Sequence, residues 1–161
     1  MPRRRADDEE PRPRGSARLV ALRLLGRRDY TREELRRKLA ERGFPADDVE
    51  ATLDTLREQG LQDDARAARA LVRTATRIKG RGPLRIRQEL KHRGVSPDTI
   101  SAATSDLTPT QVREAIELIL TRKRVTRPIP RDQHRRLFQH LVRRGFPPDA
   151  VLKALGGRLE D

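Results

Sequence analysis

Apolar residues recur four apart at Leu35 and Leu39, at Ile86 and Leu90, and at Leu137 and Leu141. That spacing stacks two side chains on one face of a helix. Each pair runs into the same closing phrase: "LAERGFPADDV" from Leu39, "LKHRGVSPDTI" from Leu90 and "LVRRGFPPDAV" from Leu141. The glycines of the three phrases, Gly43, Gly94 and Gly145, are 51 residues apart both times. The phrase predicts a helix end followed at once by a helix start. Arginine in a last turn suits the negative end of the helix dipole, and glycine just beyond takes the left-handed conformation that terminates the helix. Phe44, Val95 and Phe146 then pack back on the helix the chain is leaving. Ser96 followed by Pro97 fits an N-cap and a first-turn proline, and Asp47, Asp98 and Asp149 sit near the positive end of the new helix. Val49, Ile100 and Val151 open its apolar face.

A further helix precedes each joint. The first runs from about Ala17 to Gly26 and offers Leu19, Val20, Leu22, Leu24 and Leu25 for burial. It is followed by "TREE", a capping box from Thr31 to Glu34. The second begins in "LQDDARAARALV" and stops near "KGRGP". The third runs from "TPTQVREAIELIL" to about Arg124, with Val112, Ala115, Ile116, Ile119 and Leu120 on one side. No run alternates β-branched or aromatic residues with polar ones, and no Asn-Gly or Asp-Gly turn occurs. The expected fold is therefore all-α. Three tandem three-helix repeats, over 17–61, 62–106 and 107–161, form an elongated, curved stack behind a disordered charged arm at 1–16.

Composition narrows the picture. Charged residues make up 38% of the chain and aromatics 2%, so each core must be thin and aliphatic. The absence of cysteine excludes disulfides, thiolate metal sites and a thiol nucleophile. No apolar run reaches the ~18 residues of a membrane span, and "MPRRRADDEE" is not a secretory signal. A cytoplasmic monomer without cofactor is expected. The net charge is +13, and its excess along the four segments above is +1, +1, +5 and +6. The later two repeats thus attract polyanions or an acidic protein surface, unless the arginines reflect only genomic bias.

Candidate chemistry is sparse. Arg66, Arg69, Arg73 and Arg77 fall on one helical stripe of about 16 Å, opposite a core side of Ala68, Leu71, Val72, Ala75 and Ile78. No acid lies between Asp64 and Glu89. Lys79, Arg81, Arg85, Arg87 and Lys91 extend the run. Together these nine residues form the candidate partner-binding set. Asp63 and Asp64 read as an N-cap and a first-turn acid rather than a catalytic pair. The segment "GRGP" is too short for a phosphate loop and has no preceding strand. His92, His134 and His140 have no metal-ligand spacing. No nucleophile–base constellation is present, so no catalytic residue is assigned and no enzymatic role is expected.

The middle stretch, "GLQDDARAARALV" through "KGRGPLRIRQELKHRGV", resembles the signature of the RecX family of recombinase regulators. The features that carry it are Leu61, Asp63, Asp64, Ala68, Val72, Gly82, Pro83, Ile86, Glu89, Leu90 and Gly94. "YTREELRRKLAERGF" with Leu53, Leu56 and Gly60 resembles the family's first repeat, and "RRLFQHLVRRGFPPDAV" its last. The family usually carries aromatics where this chain has Ala67 and Leu71. The resemblance implies a non-enzymatic protein that binds the RecA recombinase filament in its groove. Such a protein restrains ATP hydrolysis, strand exchange and filament growth in recombination and the SOS response. Whether single- or double-stranded DNA is touched as well stays open. The alternative from the residues alone is a direct, nonspecific DNA-binding helical module, and a scaffold for another acidic protein is a third.

Overall fold

The computed structural model describes residues 15–157. The expected arm therefore falls, up to Arg14, outside the described residues. Among the described residues the chain is all-α: α1 (Ala17–Leu25), α2 (Arg32–Ala40), α3 (Ala46–Glu58), α4 (Asp64–Arg77), α5 (Pro83–His92), α6 (Pro97–Thr104), α7 (Pro109–Arg122), α8 (Arg131–Arg143) and α9 (Pro148–Leu155). They fall into three consecutive triples, each with its own apolar cluster. The first triple lies in one compact unit, Met1–Asp64, and the other two share a second, Ala65–Asp161.

The three joints form as the repeated phrase dictates. Gly43, Gly94 and Gly145 have φ of 80°, 74° and 89°. Each is followed by an amide that reaches back five residues: Phe44 to the Leu39 carbonyl, Val95 to Leu90 and Phe146 to Leu141, at 3.1–3.3 Å. Each glycine amide reaches back three, to Ala40, Lys91 and Val142. These two bonds define a Schellman ending and satisfy carbonyls that the helix leaves unpaired. Phe44, Val95 and Phe146 are buried, as are Val49 and Val151.

In the first unit α1 buries Ala17, Ala21 and Leu24, which share one face, while Val20, Leu22 and Leu25 are partly covered. Leu19 does not join them and stays 53% exposed. It lies two positions beyond Ala17, about 200° around the helix, so the core face passes it by. The capping box at Thr31 is complete. The Thr31 hydroxyl accepts from the Glu34 amide and Glu34 accepts from the Thr31 amide. Asp64, the last residue of this unit, accepts from the Arg32 amide at 2.8 Å and from Gln62 Nε2 at 2.7 Å. Asp64 thus contributes a structural tie to the start of α2.

In the second unit α4 and α5 bury Ala68, Val72, Ala75, Ile86 and Leu90, and α7 buries the five residues expected of it. Ile78, expected in the core, is 71% exposed because α4 ends at Arg77 and the chain turns away. The glycine segment that follows docks on the joint between α8 and α9. The Gly82 amide donates to the Arg144 carbonyl at 2.8 Å and the Leu84 amide to the Gly145 carbonyl at 3.0 Å. Arg144 returns the contact through Nη1 to the carbonyls of Lys79 (2.8 Å) and Gly80 (3.2 Å). Side chains are excluded here: a Cβ on Gly82 would overlap the Gly145 carbonyl, and one on Gly145 would overlap Arg85. "GRGP" is therefore the clasp between the second and third triples.

Candidate functional site

The charge is divided sharply between the units. Residues 1–64 carry 15 basic and 15 acidic side chains, and residues 65–161 carry 22 and 9. The whole excess belongs to the second unit.

Within it, α4 presents Arg69, Arg73 and Arg77, all exposed. They form one wall of a cleft of about 440 Å³. The same cleft is lined by Val72 and Thr76 of α4, by Ala103, Asp106 and Leu107 at the end of α6 and just beyond it, and by Gln111, Glu114, Ala115 and Leu118 of α7. The volume is that of an ordinary ligand pocket. None of the three arginines has an ion pair or hydrogen bond among the described residues. Val72, Ala103, Leu107, Ala115 and Leu118 supply its apolar lining, and Leu118 is 42% exposed.

The fold does not bring all nine candidate residues to this place. Arg66, half-buried, starts the stripe but does not line the cleft. Arg81 is turned inward to Glu89, which also pairs with Arg93 at 2.8 Å. Burial of Glu89 raises its pKa, but the hydrogen bonds from Arg93 and Arg81 outweigh that and hold it low. Arg81 is thereby committed to the fold. Arg85 packs its backbone on Gly145, and Arg87 Nε donates to the Thr104 hydroxyl at 3.2 Å. Lys79 and Lys91 are exposed and outside the cleft.

The acids that the sequence around α4 lacks arrive from elsewhere in the chain, as Asp106 and Glu114. Sequence reasoning missed them, together with Gln111 and Leu118. Leu118 carried a signal, since it is the large aliphatic residue of α7 left off the Val112, Ala115, Ile116, Ile119, Leu120 face. Among the described residues no three His, Cys, Asp or Glu side chains gather as a metal site, and no helix is long and apolar enough to cross a membrane. His140 accepts from Arg144 Nε at 3.1 Å, beside the clasp. Burial first, then Lys123, Arg144 and Arg143, push its pKa down.

Tandem three-helix repeats carrying a basic, part-apolar cleft place the chain among the all-helical repeat proteins. Comparison with known proteins says which kind. Family models for the first and second three-helix domains of RecX match residues 17–56 and 63–103. A regulatory protein RecX of Xanthomonas oryzae pv. oryzae is 38% identical, over 96% of this chain and 99% of its own. One from Halorhodospira halophila is 39% identical over 88% of each. A crystal structure of a regulatory protein RecX superposes with a TM-score of 0.71 at 30% identity, covering 86% of this chain and 69% of that one. The chain belongs to the RecX family.

Proposed function

We propose that this protein binds the RecA recombinase filament in its groove and inhibits its ATPase, its strand exchange and its growth, acting in the cytoplasm during recombination and the SOS response without catalysing a reaction itself. The observation that carries this reading is the 38% identity with a regulatory protein RecX across 96% of the chain. The confinement of the positive excess to the second unit supports it, because a filament of protein and nucleic acid presents acidic surface in quantity. Of the nine candidate residues, Arg69, Arg73 and Arg77 are the main contact, being exposed, aligned and without an ion pair among the described residues. Arg66, Lys79, Arg85, Arg87 and Lys91 have secondary parts.

The test is titration of the protein into preformed filaments, reading DNA-dependent ATP hydrolysis and strand exchange together. Inhibition of both near stoichiometry is expected, and indifference of both sinks the proposal. Reversal of Arg69 and Arg73 to Glu should weaken inhibition more than their truncation, because each reversal adds a repulsion. Bare single-stranded DNA measured across a salt series tests the alternative. A nucleic-acid module loses affinity linearly in log–log salt with a slope set by the phosphates neutralised.

A further inference from the structure

We propose that the cleft between α4 and α7 receives an acidic peptide segment anchored by apolar side chains, rather than a phosphodiester backbone. This deepens the reading of the α4 arginines as the contact surface and rests on it.

The cleft has two unlike walls. Arg69, Arg73 and Arg77 come from α4, while Asp106 and Glu114 come from the α6–α7 side. A nucleic-acid strand carries the same charge on every residue, so a strand laid along the arginines also meets two carboxylates. Like-charge juxtaposition of that kind selects against a partner. A peptide carries its charges on one edge and its amide donors on another. Its Asp and Glu side chains can face α4 while its backbone N–H groups, or a Lys, face Asp106 and Glu114. Charged acceptors of this kind make the stronger hydrogen bonds.

The floor points the same way. Val72, Ala103, Leu107, Ala115 and Leu118 give the cleft an aliphatic base. The chain has no Trp, one Tyr and three Phe. Neither the Tyr nor any Phe lines the cleft, so the aromatic platform on which single-stranded bases stack is missing there. An aliphatic base flanked by unpaired arginines suits a Leu or Ile seated between acidic neighbours. Interfaces gain most of their affinity from such a buried anchor and take their orientation from the charged rim.

The experiment uses the full chain and three fluorescein-labelled probes followed by anisotropy. The probes are a short peptide rich in Asp, Glu and Leu, the same peptide with Ser for every Leu, and an oligothymidine. Two variants accompany the parent, Leu118→Gln and the pair Arg69→Gln with Arg73→Gln. All three side chains are exposed, so helical content by circular dichroism should match the parent in both variants. The acidic Leu peptide should bind the parent, lose about tenfold in the arginine pair and several-fold in Leu118→Gln. The Ser peptide should bind several-fold more weakly, and oligothymidine should not respond to Leu118→Gln. Failure of the acidic Leu peptide to bind, or binding indifferent to both variants, overturns the proposal. So does tight oligothymidine binding that the arginine pair abolishes while the peptide is unaffected. Filament ATPase, read on the same variants, separates this idea from the one beneath it. If the arginine pair loses filament inhibition although no peptide binds the parent, the peptide cleft fails and the filament contact stands. If the peptide depends on both variants while inhibition is untouched, the cleft stands and the filament role of the arginines fails.

Discussion

Replacing Gly145 with Ala should cost far more than replacing a glycine of the same backbone conformation elsewhere in the same unit. Gly145 has φ of 89°, and Gly156, at the end of α9, has φ of 96°. Both substitutions pay the left-handed strain of an L-residue, about 1–2 kcal/mol. For Gly156 the account ends there, because a Cβ would meet nothing within 4 Å. At Gly145 the added carbon would fall 2.5 Å from the Arg85 amide nitrogen and closer still to the Arg85 Cβ. The start of α5 must then retreat from the α8–α9 joint. The Gly82 and Leu84 amides, now donating to Arg144 and Gly145 at 2.8 and 3.0 Å, lose their acceptors. Leaving a buried amide unsatisfied costs about 1–3 kcal/mol. With two such amides, Gly145→Ala should therefore destabilise by roughly 3–8 kcal/mol in all, against about 1–2 for Gly156→Ala, within a total stability on the order of 5–15. Urea unfolding followed at the helical circular dichroism band measures both. Hydrogen exchange should show the extra loss spread over α4, α5, α8 and α9. Equal costs for the two variants would refute the clasp.

Three further outcomes follow from particular contacts. Thr31→Ala removes one arm of the capping box at the start of α2 and should cost about 1–2 kcal/mol, while Thr31→Ser should stay near the parent in the same urea assay. Hydrogen bonds from Arg36 and Arg32 hold the Glu50 carboxyl down to about 2, so its contribution is present above its ordinary value of 4.5 and is lost as pH falls from there toward 2. Glu50→Gln should flatten that acid limb of an acid-unfolding curve, by a small amount because the side chain is 44% exposed and screened. Arg81→Gln should cost on the order of 1 kcal/mol of stability, Arg93 remaining to hold Glu89, and should leave filament inhibition unchanged, whereas Arg73→Gln should do the reverse.

The joints were legible because every part of them is local. A Schellman ending at Gly43 or Gly94 is written in half a dozen consecutive residues, and the repeat at a fixed interval says it three times. The apolar faces of α2, α5 and α7 were legible for the same reason. The position of Ile78 was not, since its periodicity continues α4 while the backbone stops at Arg77. The clasp was hidden because its glycines answer to a surface 60-odd residues away, the Arg144 and Gly145 carbonyls. Gly82 is a contact point where a side chain has no room. The cleft was half visible. Its arginine wall is a helical stripe, but Asp106 lies between α6 and α7, Glu114 and Leu118 belong to α7, and all three reach the site only through packing.

The arginines of the two units have opposite fates, and the difference explains why a count of basic residues is a poor map of a binding surface. On and just before α2, Arg28 pairs with Glu34, Arg32 with Glu50 and Asp54, Arg36 with Glu33 and Glu50, and Arg37 with Glu33. Read from the sequence, α2 carries as many Lys and Arg residues as α4, four, against two acids. Its three arginines are nonetheless paired inside the fold, because Glu33 lies on the same helix and α3 brings Glu50 and Asp54 within reach. On α4 only Asp64 is acidic; Glu89 is engaged by Arg81 and Arg93 and Glu117 by Arg127, and Asp106 and Glu114, which share the cleft, form no ion pair with the three α4 arginines among the described residues. Charge available to a partner is what remains after this internal neutralisation. It remains on Arg69, Arg73 and Arg77 because the unit holding them has 22 bases and 9 acids, too few to pair them all. A charge-neutral first unit and a charge-surplus second unit are thus two outcomes of one rule, and it is the surplus, rather than the arginine content, on which the proposed partner surface rests.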